Sequence, residues 1–466
     1  MKAWEMASDL YRNAKPRILE EEDQTWEFSN EVSDFYDALL GRDWNSNVPG
    51  SGAPERIMVA AVQALENRGY IVNNSEELLL EGLKAHSEKD FVKLHKISAL
   101  LRHEFLNAKK NPDSPYWNYK VYNNYEEYRN SVEFPKPQEV DIYSEEFTDK
   151  IKSAWLSQLI GAAMGTQIEG YTSDNLYKAF GEIHDYIREP NTYNDDITFE
   201  LAFLNAFIEK GYDIISKDIA LEWVGIIPCG WSAEEFALRN IKNGILPPMS
   251  GTYNNPFNEW IGAQMRGAIC GMVAPGDPEM AAKLAWYDGE VSHANNGILG
   301  EVFNAVMVSL AFVNDDVKDI LELAIDMIPK DSEYYSVVNF ALEKCKKYKN
   351  WRDALKECEE KYIKYNWIHS YPNICAEIIA LWYGEGDYEK TLHIVTMAGI
   401  DVDCNAAQIM AILGVQLGVE GIPERLIHPA FNELITYLRG DKKISLDELV
   451  EKTVVSIKNA KSGGKQ

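Results

Sequence analysis

Apolar residues recur at helical spacing along most of this 466-residue chain, and strict strand-like alternation is nearly absent. Pro54 opens a run through Ile57, Met58, Ala61, Val62 and Leu65 that Gly69 closes, which predicts a helix with proline in its first turn and glycine after its last. Ser87 with Asp90 predicts an N-cap ahead of Phe91, Leu94, Ile97, Leu101 and Phe105, one buried stripe. Between about 107 and 143 the periodicity gives way to Asn, Pro and Tyr and ends in Pro135-Lys136-Pro137, the composition of a semi-rigid connector. A domain boundary is therefore expected at residue 140, with a helical unit over 1–140 and a second over 141–466.

In the second unit, Phe147, Ile151, Ala154, Leu156 and Leu159 lead into Gly161-Ala162-Ala163-Met164-Gly165, where a close backbone approach or a helix end is expected. Ser232 and Glu235 predict a capping box for a helix that stops near Gly244. A loop from Pro247 to Pro256 follows, long and aromatic enough to line a site. Asp387 predicts the cap of a helix reaching about Ala398, Gly399 its close, and Asp401 to Asp403 the start of another through Ala406, Ile409, Ile412 and Leu413. The Lys-, Gly- and Ser-rich tail after Asn459 is expected to be disordered. The pattern implies an all-α fold.

The charge narrows the partners. A formal net charge of -27 repels a nucleic-acid backbone or an anionic membrane surface, so neither is an expected partner. No acidic block or tail carries that charge, which reads as distributed helix surface. The six cysteines are widely spaced without a CxxC pair, the N-terminus lacks the order of a signal peptide, and no stretch approaches a membrane span. These features predict a soluble, cytoplasmic protein.

Serine-hydrolase elbow, P-loop, dinucleotide fingerprint and HExxH signatures are all missing, and the eight histidines are scattered. What stands out is a pair of acidic clusters, Asn194-Asp195-Asp196 and Asp401-Val402-Asp403, each directly ahead of a helical segment. If the two loops meet, their carboxylates repel one another unless a divalent cation holds them, and hard oxygen ligands suit Mg²⁺ or Mn²⁺. Met265, Met272 and Met280 read as core packing.

Four segments, in order, resemble the motifs of the ADP-ribosylglycohydrolase family: Gly161 to Gly170 with Glu169; Tyr193 to Thr198; Gly262 to Arg266 together with Ser292-His293; and Gly399 to Ala407, followed by Gly421 to Pro423. The resemblance implies an orthogonal all-α bundle of that family's type over 141–466, with 1–140 as an additional helical unit. It implies two divalent cations, Mg²⁺ or Mn²⁺, ligated by Asp195, Asp196, Asp401 and Asp403, with Asn194 supplying an amide oxygen and Cys404 standing at the sixth ligand position. Glu169, Asp196 and Asp401 would be the catalytic carboxylates, Glu169 handling the proton at the scissile bond. His293, Asn295, Asn296, Gly297, Arg266 and Asn258 would contact substrate. The implied activity is metal-dependent hydrolysis of a glycosidic bond, releasing ADP-ribose from an N- or O-linked conjugate on a small molecule or a protein. An N-glycosidase for a nucleoside-like compound and a non-catalytic binding protein are the alternatives. Three positions depart from the family: Asn194 and Cys404 stand where threonine is usual, and Ala162 where aspartate is. At Cys404 a soft thiol would make a poor Mg²⁺ ligand, which puts the second ion in doubt.

Overall fold

A computed structural model describes residues 1–440 and 442–463. It is helical throughout, with 64% of the chain in helix and only two- and three-residue strands among the described residues. None of the described helices is long and apolar enough to cross a membrane.

Two helices make the centre of the molecule, Glu145–Gly165 and Val402–Leu417. Ser144 caps the first by accepting from the Phe147 amide at 3.1 Å, and Glu145 and Glu146 face its positive end. Beyond Ser153 every residue of this helix is buried, as is the second helix from Val402 to Val415. Small residues set how near the two can come. A Cβ on Gly161 would stand 2.5 Å from the Ala406 carbonyl carbon, one on Gly414 2.6 Å from the Ser153 carbonyl oxygen, and one on Gly165 would overlap the Asp403 amide. The expected backbone approach at Gly161 and the expected helix end at Gly165 are thus both present.

The N-terminal residues do not share this burial. Trp4, Leu10, Tyr11, Trp26, Phe28, Phe35 and Tyr36 are all exposed, and the continuous apolar core begins only at Leu40 and runs to Ile457. Pro54 does not start a helix. It pairs with Asn47, and Glu55 with Ser46, in a short antiparallel hairpin, and the helix begins at Ile57. Asp90 caps Phe91–Leu106, accepting from the Lys93 amide at 2.9 Å, whereas Ser87 takes no part and ends the preceding helix, Ser75–Ser87, donating to the Lys84 carbonyl. The Asn-, Pro- and Tyr-rich stretch from 107 to 143 lies against the rest of the chain through its tyrosines. Tyr128 stacks on Trp286 at 5.3 Å and donates to the Met327 carbonyl at 3.0 Å, while Arg129 pairs with Glu279 at 2.6 Å. Tyrosine combines a large apolar ring with a hydroxyl that needs a partner, so it anchors a segment that lacks periodicity.

Other local expectations are corrected. Ser232 is the first helical residue and not a cap, with φ of 40°, and Glu235 accepts instead from the Gly230 amide at 3.0 Å. Asp387 does cap Tyr388–Ala398. At the C-terminus the Leu446–Lys461 helix passes through Ala460 and Lys461, where disorder was expected, while 464–466 lie outside the described residues.

Candidate metal centre

Glu169 is placed by a turn. Where Glu145–Gly165 ends, the Ile168 and Glu169 amides both donate to the Gly165 carbonyl, at 2.8 and 3.0 Å. The Gly170 amide then donates to the Ile400 carbonyl at 2.8 Å, and Tyr171–Thr172 pairs antiparallel with Gly399–Ile400. This two-residue ladder ties the Glu169 turn to the start of Val402–Leu417. Ile400 bears the cost, with φ of 61°, a left-handed conformation that a β-branched residue rarely adopts. Asp401 follows directly, its amide donating to the Asn373 side-chain oxygen at 3.2 Å.

The second acidic loop comes in from the Asp195–Lys210 helix. Asn194 is its N-cap, accepting from the Ile197 amide at 3.2 Å, and its NH₂ donates to Asp403 at 3.3 Å. The amide that was expected beside the cation therefore also joins the two loops. Ligand atoms of Asp195, Asp196 and Asp403 lie within 4.8 Å of one another, and so do those of Asp401, Asp403 and Cys404. Asp403 belongs to both groups, and the clusters read separately along the chain form one site.

Its electrostatics are one-sided. Asp196 is 0% exposed, and Asp401 and Asp403 are each 4% exposed, yet both Asp196 oxygens, Asp401 Oδ1 and Asp403 Oδ1 have no hydrogen-bond partner among the described residues. Burial, and then repulsion from the neighbouring aspartates, holds the Asp196 and Asp401 carboxyls well above the usual carboxylate range; Asp403 is pushed up to about 6. Burial also raises Asp195, and Glu169 is raised by burial first and then by Asp403, Asp401, Asp195 and Asp196. Two helix starts, at Asp195 and Val402, turn their positive ends toward these acids, which falls far short of a full neutralising charge. Buried, unpartnered carboxylate oxygens at this spacing fit hard divalent cations. Cys404 is the exception in the set. Burial and the surrounding aspartates keep its thiol protonated, and its sulfur rests 3.8 Å from that of Met265.

The expected substrate residues divide. His293, Asn258 and Gly297 form one group: the Ala294 amide donates to the Asn258 carbonyl at 2.9 Å, and a Cβ on Gly297 would stand 2.5 Å from that carbonyl oxygen and 3.1 Å from His293 Cδ2. The His293 ring is neutral, its pKa held well below the usual value by burial and then by Arg266. Nδ1 meets Ser292 Oγ at 2.7 Å, whereas Nε2 and both Asn258 amide atoms have no hydrogen-bond partner among the described residues. The Pro247–Pro256 loop backs this group, with Asn255 donating to the Ser292 carbonyl at 2.9 Å.

Asn295, Asn296 and Arg266 are spent elsewhere. Asn295 accepts from the Tyr122 amide at 2.9 Å and donates to Glu259 at 3.0 Å; Asn296 donates to Glu259 at 3.1 Å and accepts from the Tyr334 amide at 3.1 Å. Arg266 is enclosed. Its Nε donates to Asp288, its two NH₂ groups to Glu234 (3.0 Å), Ser292 (3.0 Å) and the Gly262 and Asp288 carbonyls, and Trp223 lies 4.8 Å below the guanidinium. Those bonds use all five of its N–H donors, so it has none left for a substrate. Met265 and Met272 are buried and Met280 is half-buried, as core packing requires.

Sequence reasoning missed Asn373, Glu234, Asp288 and Glu301, and no local signal marks them, because each works through a partner far away in the chain. It missed Tyr437 as well, whose phenol is kept protonated by burial first and then by Asp195.

The sequence profile of the ADP-ribosylglycohydrolase family matches residues 143–458. An uncharacterized protein of Archaeoglobus fulgidus is 24% identical over 297 residues, covering 59% of this chain and 90% of that protein. A solved ADP-ribosylglycohydrolase-related protein complex has a chain that is similar in fold, with a TM-score of 0.50 at 18% identity, over 68% of this chain and 100% of that one. The chain belongs to the ADP-ribosylglycohydrolase family.

Proposed function

We propose that this protein hydrolyses the glycosidic bond of an N- or O-linked ADP-ribosyl conjugate with the help of divalent cations. One observation carries the reading: Asp196, Asp401 and Asp403 bring buried, unpartnered oxygens together with Asp195, and no lysine or arginine is bonded to any of the four among the described residues. Asp195, Asp196, Asp401 and Asp403 would hold Mg²⁺ or Mn²⁺, with Asn194 keeping Asp403 in place and Cys404 as the weak member of the second group. Bound ions would polarise ribose hydroxyls and activate a water for attack at the anomeric carbon.

The chain's own groups do the rest. Glu169, fixed by its turn beside Asp401, gives or takes the proton at the scissile bond, as glycoside cleavage requires. His293 Nε2 and the Asn258 amide offer a neutral donor or acceptor pair for a sugar or base edge, with Gly297 leaving room beside them. Six free cysteines suit a reducing compartment, the cytoplasm in this proposal.

Titration calorimetry with Mn²⁺ and Mg²⁺, with and without ADP-ribose, tests this reading. We expect ion binding that ADP-ribose strengthens and that Asp401→Asn with Asp403→Asn removes; ion binding indifferent to ADP-ribose would sink the substrate assignment. Arg266 favours a second reading, an N-glycosidase for a nucleoside-like compound, because the one arginine of the motif segments has no donor free for a diphosphate. Ribose binding as tightly as ADP-ribose would select it.

A further inference from the structure

The turn that carries Glu169 is covered by chain from outside the family span. The antiparallel hairpin Ser46–Asn47 with Pro54–Glu55 holds its tip by the Val48 amide on the Ala53 carbonyl at 2.9 Å and by Asn47 on the Gly52 carbonyl at 2.8 Å. That tip lies on the residues flanking Glu169. A Cβ on Gly50 would overlap the Thr166 carbonyl oxygen, and one on Gly170 would stand 2.5 Å from the Ala53 Cβ. Tyr171 donates to the Ser51 carbonyl and Arg188 to that of Gly50, both at 3.3 Å. The base of the hairpin is pinned by the buried Glu55, which accepts from the Trp231 indole at 3.0 Å. On the other side of Gly170, Trp367 would be 3.5 Å from the same Cβ. From Ser46 to Ala53 the hairpin carries no charged side chain.

We infer that the Ser46–Glu55 hairpin is a specificity-determining wall against the Glu169 turn, selecting conjugates whose leaving group is a small molecule over those attached to a folded protein. The inference rests on the proposed activity. Glu169 serves the leaving group, so whatever stands against its turn bounds the space that group must occupy. The solved relative is matched along its whole length by 68% of this chain, and the family span begins at 143, so the wall is supplied by the extra N-terminal residues. A rigid wall of small uncharged residues excludes by bulk, which discriminates best against a substrate that brings a whole protein surface with it.

The test uses the full chain with Mn²⁺ and compares kcat/KM for ADP-ribose release from free ADP-ribosyl-arginine and ADP-ribosyl-serine with that from proteins carrying the same linkages. Wild type is expected to favour the small conjugates by at least about tenfold. Replacing residues 48–53 by an Asn-Gly turn, which suits the two-residue connection of this register, is expected to close that gap by about tenfold while Mn²⁺ affinity stays within about twofold. Gly50→Ala, which keeps the hairpin and pushes its tip off Thr166, is expected to move the ratio the same way by about threefold and guards against a misfolded deletion. Equal kcat/KM on small and protein conjugates in wild type, or a ratio unmoved in both variants, overturns the wall and leaves the activity standing. No release of ADP-ribose from any of these conjugates by wild type overturns the substrate reading and the wall with it.

Discussion

Around Arg266, Glu234 and Asp288 are bonded to one guanidinium and Glu301 lies 3.9 Å from it; around Asp403, three further aspartates converge with no paired cation among the described residues. Both clusters are buried, and both contain acids that burial pushes above their usual range, Glu234 to about 7 and Asp403 to about 6. The difference lies in what balances them. The first holds a guanidinium of the chain's own among its acids, although Asp288 Oδ1 and Glu301 Oε2 also lack a hydrogen-bond partner among the described residues. The second is electrically incomplete, and a buried deficit of positive charge is what a divalent ion would fill. Acidity, burial and unpartnered oxygens are common to both clusters; a guanidinium within reach is what separates them.

The strongest way to break the contrast is to remove the internal cation. Arg266→Met would strand Asp288, Glu234 and Glu301 in the core, and we expect a loss of ~3–5 kcal/mol in urea unfolding that no added metal restores. A smaller effect comes from a buried acid in neither cluster. Glu377 accepts from Gln264 at 2.6 Å, and burial raises it to about 8. The native state keeps that proton while the unfolded chain releases it at its ordinary carboxylate pKa, so stability is full at low pH and declines as pH rises through about 8. Glu377→Gln should flatten that decline and make the protein more stable than wild type at pH ~9, by on the order of a few kcal/mol.

At the aspartate centre the sign reverses. Asp401→Asn with Asp403→Asn removes like charges, and we expect the metal-free protein to gain on the order of 1 kcal/mol while its melting temperature stops responding to Mn²⁺. A loss of stability without metal would show that these acids are held by something other than an ion. The mildest change is Cys404→Thr. A hard hydroxyl in place of the thiol should tighten Mg²⁺ relative to Mn²⁺ by about tenfold in competition calorimetry, and an unchanged ratio would place the thiol outside the coordination sphere.

The acidic loops, the Asp387 cap and the small-residue run before Glu169 were legible because each is a local pattern with a local cause. So was the helical class. The Pro54 start failed because proline at a first helical turn and proline at a strand edge look alike without knowing what pairs with Asn47. The capping box at Ser232 failed for a similar reason, since Glu235 found the Gly230 amide instead. Arg266, Asn295 and Asn296 carry side chains that suit a substrate, and only the positions of Asp288, Glu234, Glu259 and Tyr122 reveal that they are already engaged. A residue type announces what it can bond; the fold decides whether any of that capacity is left.

The glycines of the central seam have a consequence for anyone mapping this protein by random substitution. Gly161 and Gly165 have no side chain to offer a ligand, but a methyl group on either would wedge Glu145–Gly165 away from Val402–Leu417 and pull the Glu169 turn from Asp403. A screen for inactive variants would score these positions beside the aspartates themselves, and its list of essential residues would mix chemistry with calliper settings.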